Sequence, residues 1–305
     1  MKGILKTKRL ILRRWEESDA DSLFEYAKNP DVGPIAGWPP HRNIEESLEV
    51  IGNVLNGKEA YAVCLKEDNK AIGAIELKLN GNTDLTERDD ECELGYWLGK
   101  PFWGQGLIPE AARELLRHAF EDLGMTKVWC GYYEGNTKSK RVQEKLKFRY
   151  QWKSENVDVP LMNEKRTGHV SSMTKDQWQW DRMYEAAAAV RNERRISEYV
   201  TCGEVSAAIL SSSGKIYTGV CIDTCSTLGI CAERNAIFNM VTNGEQEIRK
   251  VLAILPDGSS GAPCGACREL MVQLMPEKYK DIEILLDYKQ ERTVTLGEIT
   301  PEWWI

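Results

Sequence analysis

The sequence predicts an α/β chain of two domains, each a sheet layered between helices. At 305 residues it is too long for one typical domain and about right for two. Runs with strand-like alternation are interleaved with amphipathic helical runs in both halves. The cysteines and histidines segregate: six of the nine cysteines follow residue 200, and all three histidines (His41, His118 and His169) precede it. The boundary is expected in the polar, tryptophan-bearing stretch Lys175 to Asp181, giving domains over 1–177 and 178–305.

In the first domain, Arg9 to Trp15 reads as a strand with Leu10 and Leu12 on one face. Ala20 to Asn29 and Ile44 to Leu55 read as amphipathic helices. Ala60 to Leu65, Ala71 to Leu79 and Glu91 to Leu98 are expected strands. A glycine turn then leads into a helix from about Leu107 to Leu123, with Pro109 in its first turn, where proline is tolerated. Val128 to Tyr133 is a strand and Thr137 to Leu146 a helix, and further strands alternate with polar loops to about Thr174. The second domain opens with an alanine-rich helix, Met183 to Asn192. A hairpin follows, Val205 to Leu210 and Lys215 to Ile222, over Ser213-Gly214. Helices start near Cys231 and Cys264, and strands run Val251 to Leu255 and Ile282 to Leu286.

Composition bounds the function. Hydrophobic residues make up 42% of the chain, enough for two ordinary cores. Before about residue 178 there are 27 basic and 29 acidic residues, and after it 13 basic and 18 acidic. Neither half carries the positive field that drives phosphate-backbone binding, so small-molecule substrates are expected and nucleic acid is not. No apolar run approaches the roughly 18 residues of a membrane span. The opening Met1-Lys-Gly-Ile-Leu-Lys lacks the apolar stretch of a secretory signal, so a cytoplasmic location is expected. In that compartment clustered cysteines point to metal more often than to disulfides.

The cysteine segments are Cys231-Ala-Glu233-Arg234 and Pro263-Cys264-Gly-Ala-Cys267-Arg268, each opening an expected helix. Helix N-termini favour thiolates over thiols. Three thiolates leave one corner of a tetrahedral zinc open, where a water is acidified. Glu233, two residues from Cys231, reaches such a water without ligating the metal and can shuttle its proton to a ring nitrogen and a leaving amine. The competing reading is a structural zinc knuckle with Cys221 or Cys225 as fourth ligand, although such a site has no use for the glutamate. Residues 183–305 resemble the cytidine deaminase family, including its blasticidin-S deaminase branch. The resemblance rests on Cys-Ala-Glu followed by Pro-Cys-x-x-Cys about 30 residues later, with Tyr217-Thr-Gly219-Val220, Leu296-Gly297-Glu298 and Pro301 in support. It implies an α/β/α sandwich, zinc on Cys231, Cys264 and Cys267, Arg234 and Arg268 offsetting the thiolate charge, and a homo-oligomer. Family members carry Asn and Glu, which hold the ribose hydroxyls, where this chain has Cys221 and Asp223. The loop of Cys225, Ser226 and Thr227 also departs from the family.

In the first half, strand Glu91 to Leu98 leads into Phe102-Trp103-Gly104-Gln105-Gly106-Leu107 and then a helix. Glycines there let backbone N–H groups approach a pyrophosphate at a helix N-terminus. Residues 5–176 resemble the GNAT acetyltransferases, especially the ribosomal-protein N-terminal acetyltransferase branch. The matching segments are Lys8-Arg9-Leu-Ile-Leu-Arg13, Glu93-Leu-Gly95-Tyr96-Trp97, Trp103-Gly-Gln-Gly106, and Asn136 with Ser139. The resemblance implies a mixed sheet and acetyl-CoA as cosubstrate. Its phosphates would lie on Gly104, Gln105, Gly106 and Leu107, and its pantetheine on Asn136. Glu93 would act as the base, and Ser139 as an acid to the leaving thiolate or as a helix cap. Pro101 stands where the family often has Arg or Gln, and Gln143 where many members have a Tyr acid. Glu93 can equally be a strand-edge carboxylate paired with a nearby Lys or Arg. For Trp97, Trp103 and Trp129, core packing is expected rather than ligand stacking. The chain reads as a bifunctional enzyme, acetyl transfer to an amine plus zinc-dependent deamination of a cytosine-like nucleoside. The alternative is a deaminase fused to a non-catalytic CoA-binding sensor.

Overall fold

The computed structural model describes residues 3–303; residues 1, 2, 304 and 305 of the expected domain spans lie outside the described residues. The chain divides into two compact units between Lys175 and Asp176.

The first unit is built on one mixed sheet. β1 (Leu5–Lys6), β2 (Leu10–Arg13), β3 (Ala60–Leu65), β4 (Ala71–Lys78) and β5 (Glu91–Leu98) run antiparallel in order. β6 (Lys127–Tyr133) joins β5 in parallel, and β8 (Glu164–Thr174) and β7 (Arg149–Val159) complete the sheet beyond it. The helices are α1 (Ala20–Ala27), the single turn α2 (Gly33–Ala36), α3 (Ile44–Asn53), α4 (Leu107–Arg117) and α5 (Thr137–Lys145). Asn43 caps α3 by accepting from the Glu46 N–H at 2.8 Å, which places its start. Leu23, Ala27 and Ile51 of α1 and α3 bury themselves with Ala74 of β4, and Trp97 of β5 packs partly buried against them. α4, carrying buried Leu107, Ile108, Ala111, Ala112, Leu115 and Leu116, packs on β2, β4 and β5.

Two differences from the sequence reading have local causes. The helix expected to run to Leu123 is α-helical only to Arg117 and widens into a π-turn, His118–Asp122, closed by the Leu123 N–H on the His118 carbonyl at 3.0 Å. There the His118 ring bridges Glu59 (3.0 Å) and Asp122 (2.8 Å). The strands after Leu146 are one long hairpin, β7 and β8. The outer strand β7 is largely exposed and polar, so its sequence lacks apolar alternation. Trp97 packs against the core as expected and meets Trp38 edge-on at 5.7 Å, while half-buried Trp103 donates to the Leu98 carbonyl at 2.7 Å. Trp129 donates to Glu91 at 2.6 Å.

The second unit opens with α6 (Lys175–Val190), which starts eight residues before the expected Met183. The polar opening disguises a buried stripe at helical spacing, Trp180, Met183 and Ala187, lying against Ala208, Leu210, Leu252, Ile254 and Leu285. Fully buried Lys250 pairs with Asp176 in the first turn of α6. The sheet follows: β9 (Arg194–Arg195), β10 (Val200–Ser211) and β11 (Ile216–Thr224), then α7 (Ala232–Thr242), β12 (Ile248–Ile254), α8 (Gly265–Leu274), β13 (Glu283–Asp287), β14 (Arg292–Thr295) and the short α9 (Leu296–Ile299). Strand order is β11-β10-β12-β13-β14, with only β12 and β13 parallel. The expected hairpin closes at Gly214, whose φ of 88° suits glycine. Alternation along β10 sorts its residues: Ala208 and Leu210 face α6, while Ala207 and Ile209 join the cluster of α7 and α8. The unit is thus three layers. Among the described residues all cysteines are free, and no helix is long and apolar enough to cross a membrane.

Candidate active sites

In the second unit, α7 and α8 aim their N-termini at one point. Cys231 is the N-cap of α7 and Cys264 the N-cap of α8, both with extended backbone, while Cys267 lies in the first turn of α8 and is fully buried. The Sγ atoms of Cys231 and Cys264 are 3.4 Å apart, and those of Cys264 and Cys267 3.5 Å; all three lie within 4.8 Å of one another. Two thiolates on one tetrahedral zinc stand roughly 3.8 Å apart, given Zn–S of about 2.3 Å, so the donors fit that ion. Among the described residues no other Cys, His, Asp or Glu joins the group. Cys221 and Cys225 therefore do not complete a four-cysteine knuckle, and the fourth corner is open.

The thiol electrostatics call for a cation. Burial opposes ionisation of Cys264, but the N–H groups of Cys267 and Ala266 and the two other thiols outweigh it and hold its pKa below that of an ordinary thiol. Burial and neighbouring sulfur push Cys231 up; burial and the Glu233 carboxylate push Cys267 up. One thiolate forms readily and three need a bound metal. Glu233, buried on α7, has its carboxyl raised by burial, against its own backbone N–H and the Cys267 thiol. A carboxyl so placed holds a proton more readily than one in water.

The helix bearing Cys231 and Glu233 is seated on β11. A Cβ on Gly219 would stand 2.3 Å from the Ala236 nitrogen and 2.6 Å from the Ala232 carbonyl oxygen, so only glycine admits the α7 backbone this close. Asn235 and Asn239 donate to the Val220 and Thr218 carbonyls at 3.0 and 3.1 Å. Arg234 interacts with the Cys231 sulfur and stands in the field of all three thiols. Arg268 is used differently from what the resemblance implies: it donates to the Pro263 carbonyl at 2.9 Å and the Ile299 carbonyl at 2.8 Å, tying the Cys264 loop to α9. Cys221 is buried, and its sulfur accepts the Val205 N–H at 3.3 Å.

In the first unit, Gly104 and Gly106 have φ of 79° and 74°, the left-handed region that a side chain resists, and Gly106 is the N-cap of α4. Leu107 is the first residue of that helix, its side chain buried. Gln105 folds its amide onto the Pro101 carbonyl at 3.1 Å. The opening motif braces this turn: Arg9 donates to the Gln105 carbonyl at 3.0 Å and to Glu110 at 2.7 Å, and Thr7 donates to the same carboxylate at 2.6 Å. Lys138 of α5, not singled out in the sequence, places its ammonium 3.9 Å from the centre of the Trp103 ring, beside the turn.

β5 and β6 pair only from Glu91↔Lys127 to Glu93↔Trp129; beyond Glu93 the two strands run on without pairing. Asn136 caps α5, its amide oxygen accepting the Ser139 N–H at 3.1 Å. The Ser139 hydroxyl meets the Tyr96 phenol at 2.9 Å. Gln143, at the position where the resemblance implies a tyrosine, is buried and donates to the Gly131 carbonyl at 3.3 Å. A phenol therefore does stand here, contributed by β5. Glu93 has the paired environment: Oε1 accepts from Lys78 at 3.1 Å and Oε2 from Thr83 at 2.6 Å.

Comparison with known proteins assigns the two halves separately. Residues 9–149 match the acetyltransferase (GNAT) domain model, and residues 178–280 the cytidine and deoxycytidylate deaminase zinc-binding region. An uncharacterized N-acetyltransferase of Bacillus licheniformis, p20, is 27% identical over 149 residues, spanning 47% of this chain and 81% of that protein. A cytidine deaminase of Halalkalibacterium halodurans is 31% identical over 101 residues, 32% of this chain and 74% of that protein. The crystal structure of a GNAT-family acetyltransferase from Bacillus anthracis shares the fold, with TM-score 0.50 at 22% identity over 57% of this chain and 99% of that one.

Proposed function

The chain carries a GNAT acetyltransferase domain and, through its second half, belongs to the cytidine deaminase family; from that premise we propose a bifunctional enzyme that transfers acetyl from acetyl-CoA to an amine and hydrolyses the exocyclic amine of a cytosine-like nucleoside. The observation that carries the deaminase reading is the convergence of three thiols with an open fourth corner and a buried carboxyl two residues from one of them. Cys231, Cys264 and Cys267 would hold zinc, which would supply an acidified water. Glu233 would accept a proton at its carboxylate and deliver it to the ring nitrogen and the departing amine, so that ammonia leaves as the carbonyl forms. Arg234 offsets the negative charge of the thiolates.

The preferred substrate is a cytosine-bearing compound with a modified sugar, such as blasticidin S, rather than cytidine. The Cys221 sulfur is turned to the Val205 N–H and is a weak partner for a hydroxyl. Asp223 is one methylene shorter than the family's glutamate. Two unpaired sugar hydroxyls at roughly 1–3 kcal/mol each lower kcat/KM about a hundred- to ten-thousand-fold. An ammonia-release screen over cytosine-bearing compounds tests both points. No ammonia from any of them rejects the deaminase; cytidine as the best substrate rejects the substrate preference.

For the acetyltransferase, the phosphates of acetyl-CoA meet the backbone of Gly104 to Leu107 with Lys138 as counter-charge, and Asn136, its amide oxygen already used in capping, offers its Nδ2 to the pantetheine. The pairing of Glu93 with Lys78 favours a second reading, a CoA-binding sensor without turnover. Acetyl-CoA turnover with a panel of amines separates the two. A homo-oligomer accords with the half-exposed Phe238 and Val241 on the outer face of α7, which sedimentation of the full chain tests.

A further inference from the structure

One carboxylate at the β5–β6 opening has no assigned partner. Glu76 lies on β4, across from Gly95 of β5 on one side and Ala60 of β3 on the other. Among the described residues no group donates a hydrogen bond to it. Its charged neighbours are Lys78 on its own strand and Glu93 on β5. Gly95 lies two residues past the last β5–β6 pair, where the strands part. Having no side chain, Gly95 leaves room for the carboxylate to lie over β5: a Cβ there would stand 3.0 Å from Glu76 Oε1. Two residues further on β5, Trp97 and Trp38 present an edge-to-face pair of rings. A half-buried carboxylate near aromatic rings is an environment that recognises an alkylammonium. Glu93 lacks this freedom, because Lys78 and Thr83 already occupy its two oxygens. Burial also raises the Glu76 carboxyl, in the direction a base working near neutral pH requires.

We infer that Glu76, not Glu93, receives the proton of the acceptor in acetyl transfer, and that the acceptor is a primary amine bound as its ammonium. This rests on the acetyltransferase reading above. The N–H bond breaks toward Glu76 and frees the nitrogen lone pair for the thioester carbonyl of acetyl-CoA. As the C–N bond forms the C–S bond breaks, and the thiol of CoA leaves with the second amine proton. Lys78 is then a positioning residue that holds Glu93 aside.

The test uses the full chain, with Glu76→Gln and Glu93→Gln. Carbon-13 NMR of labelled glutamate carboxyls should show two groups titrating above the others: one lost in Glu233→Gln, and a second lost in Glu76→Gln and kept in Glu93→Gln. With spermidine and an alanyl tripeptide as probes, Glu76→Gln should lower kcat/KM by on the order of a hundredfold and abolish the acid limb of its pH profile, while Glu93→Gln costs under about tenfold. A high-titrating carboxyl other than Glu233 that survives in Glu76→Gln overturns the inference, as does the larger kinetic loss in Glu93→Gln. The titration needs no acceptor, so a failure of the Glu76 assignment shows there even where neither probe is acetylated. Calorimetry with acetyl-CoA should give equal affinity for both variants and the parent. A parent chain that binds none rejects the acetyltransferase reading instead, whatever the carboxyls show.

Discussion

The cysteine cluster of the second unit and the strand opening of the first bring together reactive side chains by different means. In the cluster, every reactive group sits at a helix N-terminus, and each partner is two or three residues along the chain: Cys231 with Glu233, Cys264 with Cys267. The local backbone fixes the spacing, and the fold has only to bring two helix starts to one place. In the opening, partners meet across strands or from a strand to a helix: Glu76 with Gly95, Lys78 with Glu93, Tyr96 with Ser139. There sheet register decides who faces whom. A site of the first kind is sensitive to the identity of a few atoms; one of the second kind depends on many small placements and should lose function by degrees.

The sharpest test of that contrast is Cys264→Ser. Elemental analysis of the parent should give about one zinc per chain and the variant almost none, because two thiolates and a neutral hydroxyl are a poor donor set. Stoichiometric zinc in the variant would show that the cluster is not the metal site. Next is Glu233→Ala, which should lower ammonia release by on the order of 10²–10⁴ while leaving zinc in place. Loss of zinc instead would mean that the carboxyl ligates. Gly219→Ala probes how the cluster is held. Its Cβ would meet α7 backbone that cannot swing aside, so a cost of about 1–3 kcal/mol is expected in denaturant unfolding of the second unit. An unchanged midpoint would mean that α7 shifts freely on β11.

The first unit should respond more mildly. Gly106→Val places a β-branched residue at a φ of 74°, a strain of about 1–3 kcal/mol. Acetyl-CoA affinity by calorimetry should fall roughly tenfold, at 1.4 kcal/mol per decade. Lys138→Ala removes an exposed charge worth about 0.2–1 kcal/mol, so affinity should fall only a few-fold, and less in high salt. An effect of Lys138→Ala larger than that of Gly106→Val would reverse the ranking of charge and backbone at this turn.

The same contrast governs what could be read from the sequence. Strands Ala60–Leu65 and Glu91–Leu98 match expectation to the residue, because apolar alternation is a local signal. The early start of α6 does not, because Lys175 to Asp181 is polar in composition and Trp180 faces the sheet only once the helix is formed. β14 and α9 are too short to carry a period, although Thr295 and Glu298 form a capping box legible in retrospect. The convergence of Cys231, Cys264 and Cys267 is readable because each lies within a few residues of a helix start. The setting of Glu76 is not, since it comes from the glycine opposite, nor is the Tyr96–Ser139 contact, which joins a strand to a helix 43 residues on. Arg9 was noticed as part of a motif, but its clasp on Gln105 and Glu110 spans about a hundred residues of sequence.

One contact makes the metal site answerable to a distant stretch of chain. The Arg268 guanidinium joins the carbonyls of Pro263, next to Cys264, and Ile299, at the end of α9. The loop that carries Cys264 and the segment around Ile299 are thereby two ends of one hydrogen-bonded strut. By thermodynamic linkage, whatever steadies or loosens that segment changes metal affinity by the same factor that metal binding changes the segment's own order. Zinc occupancy would then be a gauge of how firmly the Ile299 segment is docked, read about thirty residues along the chain from Cys267.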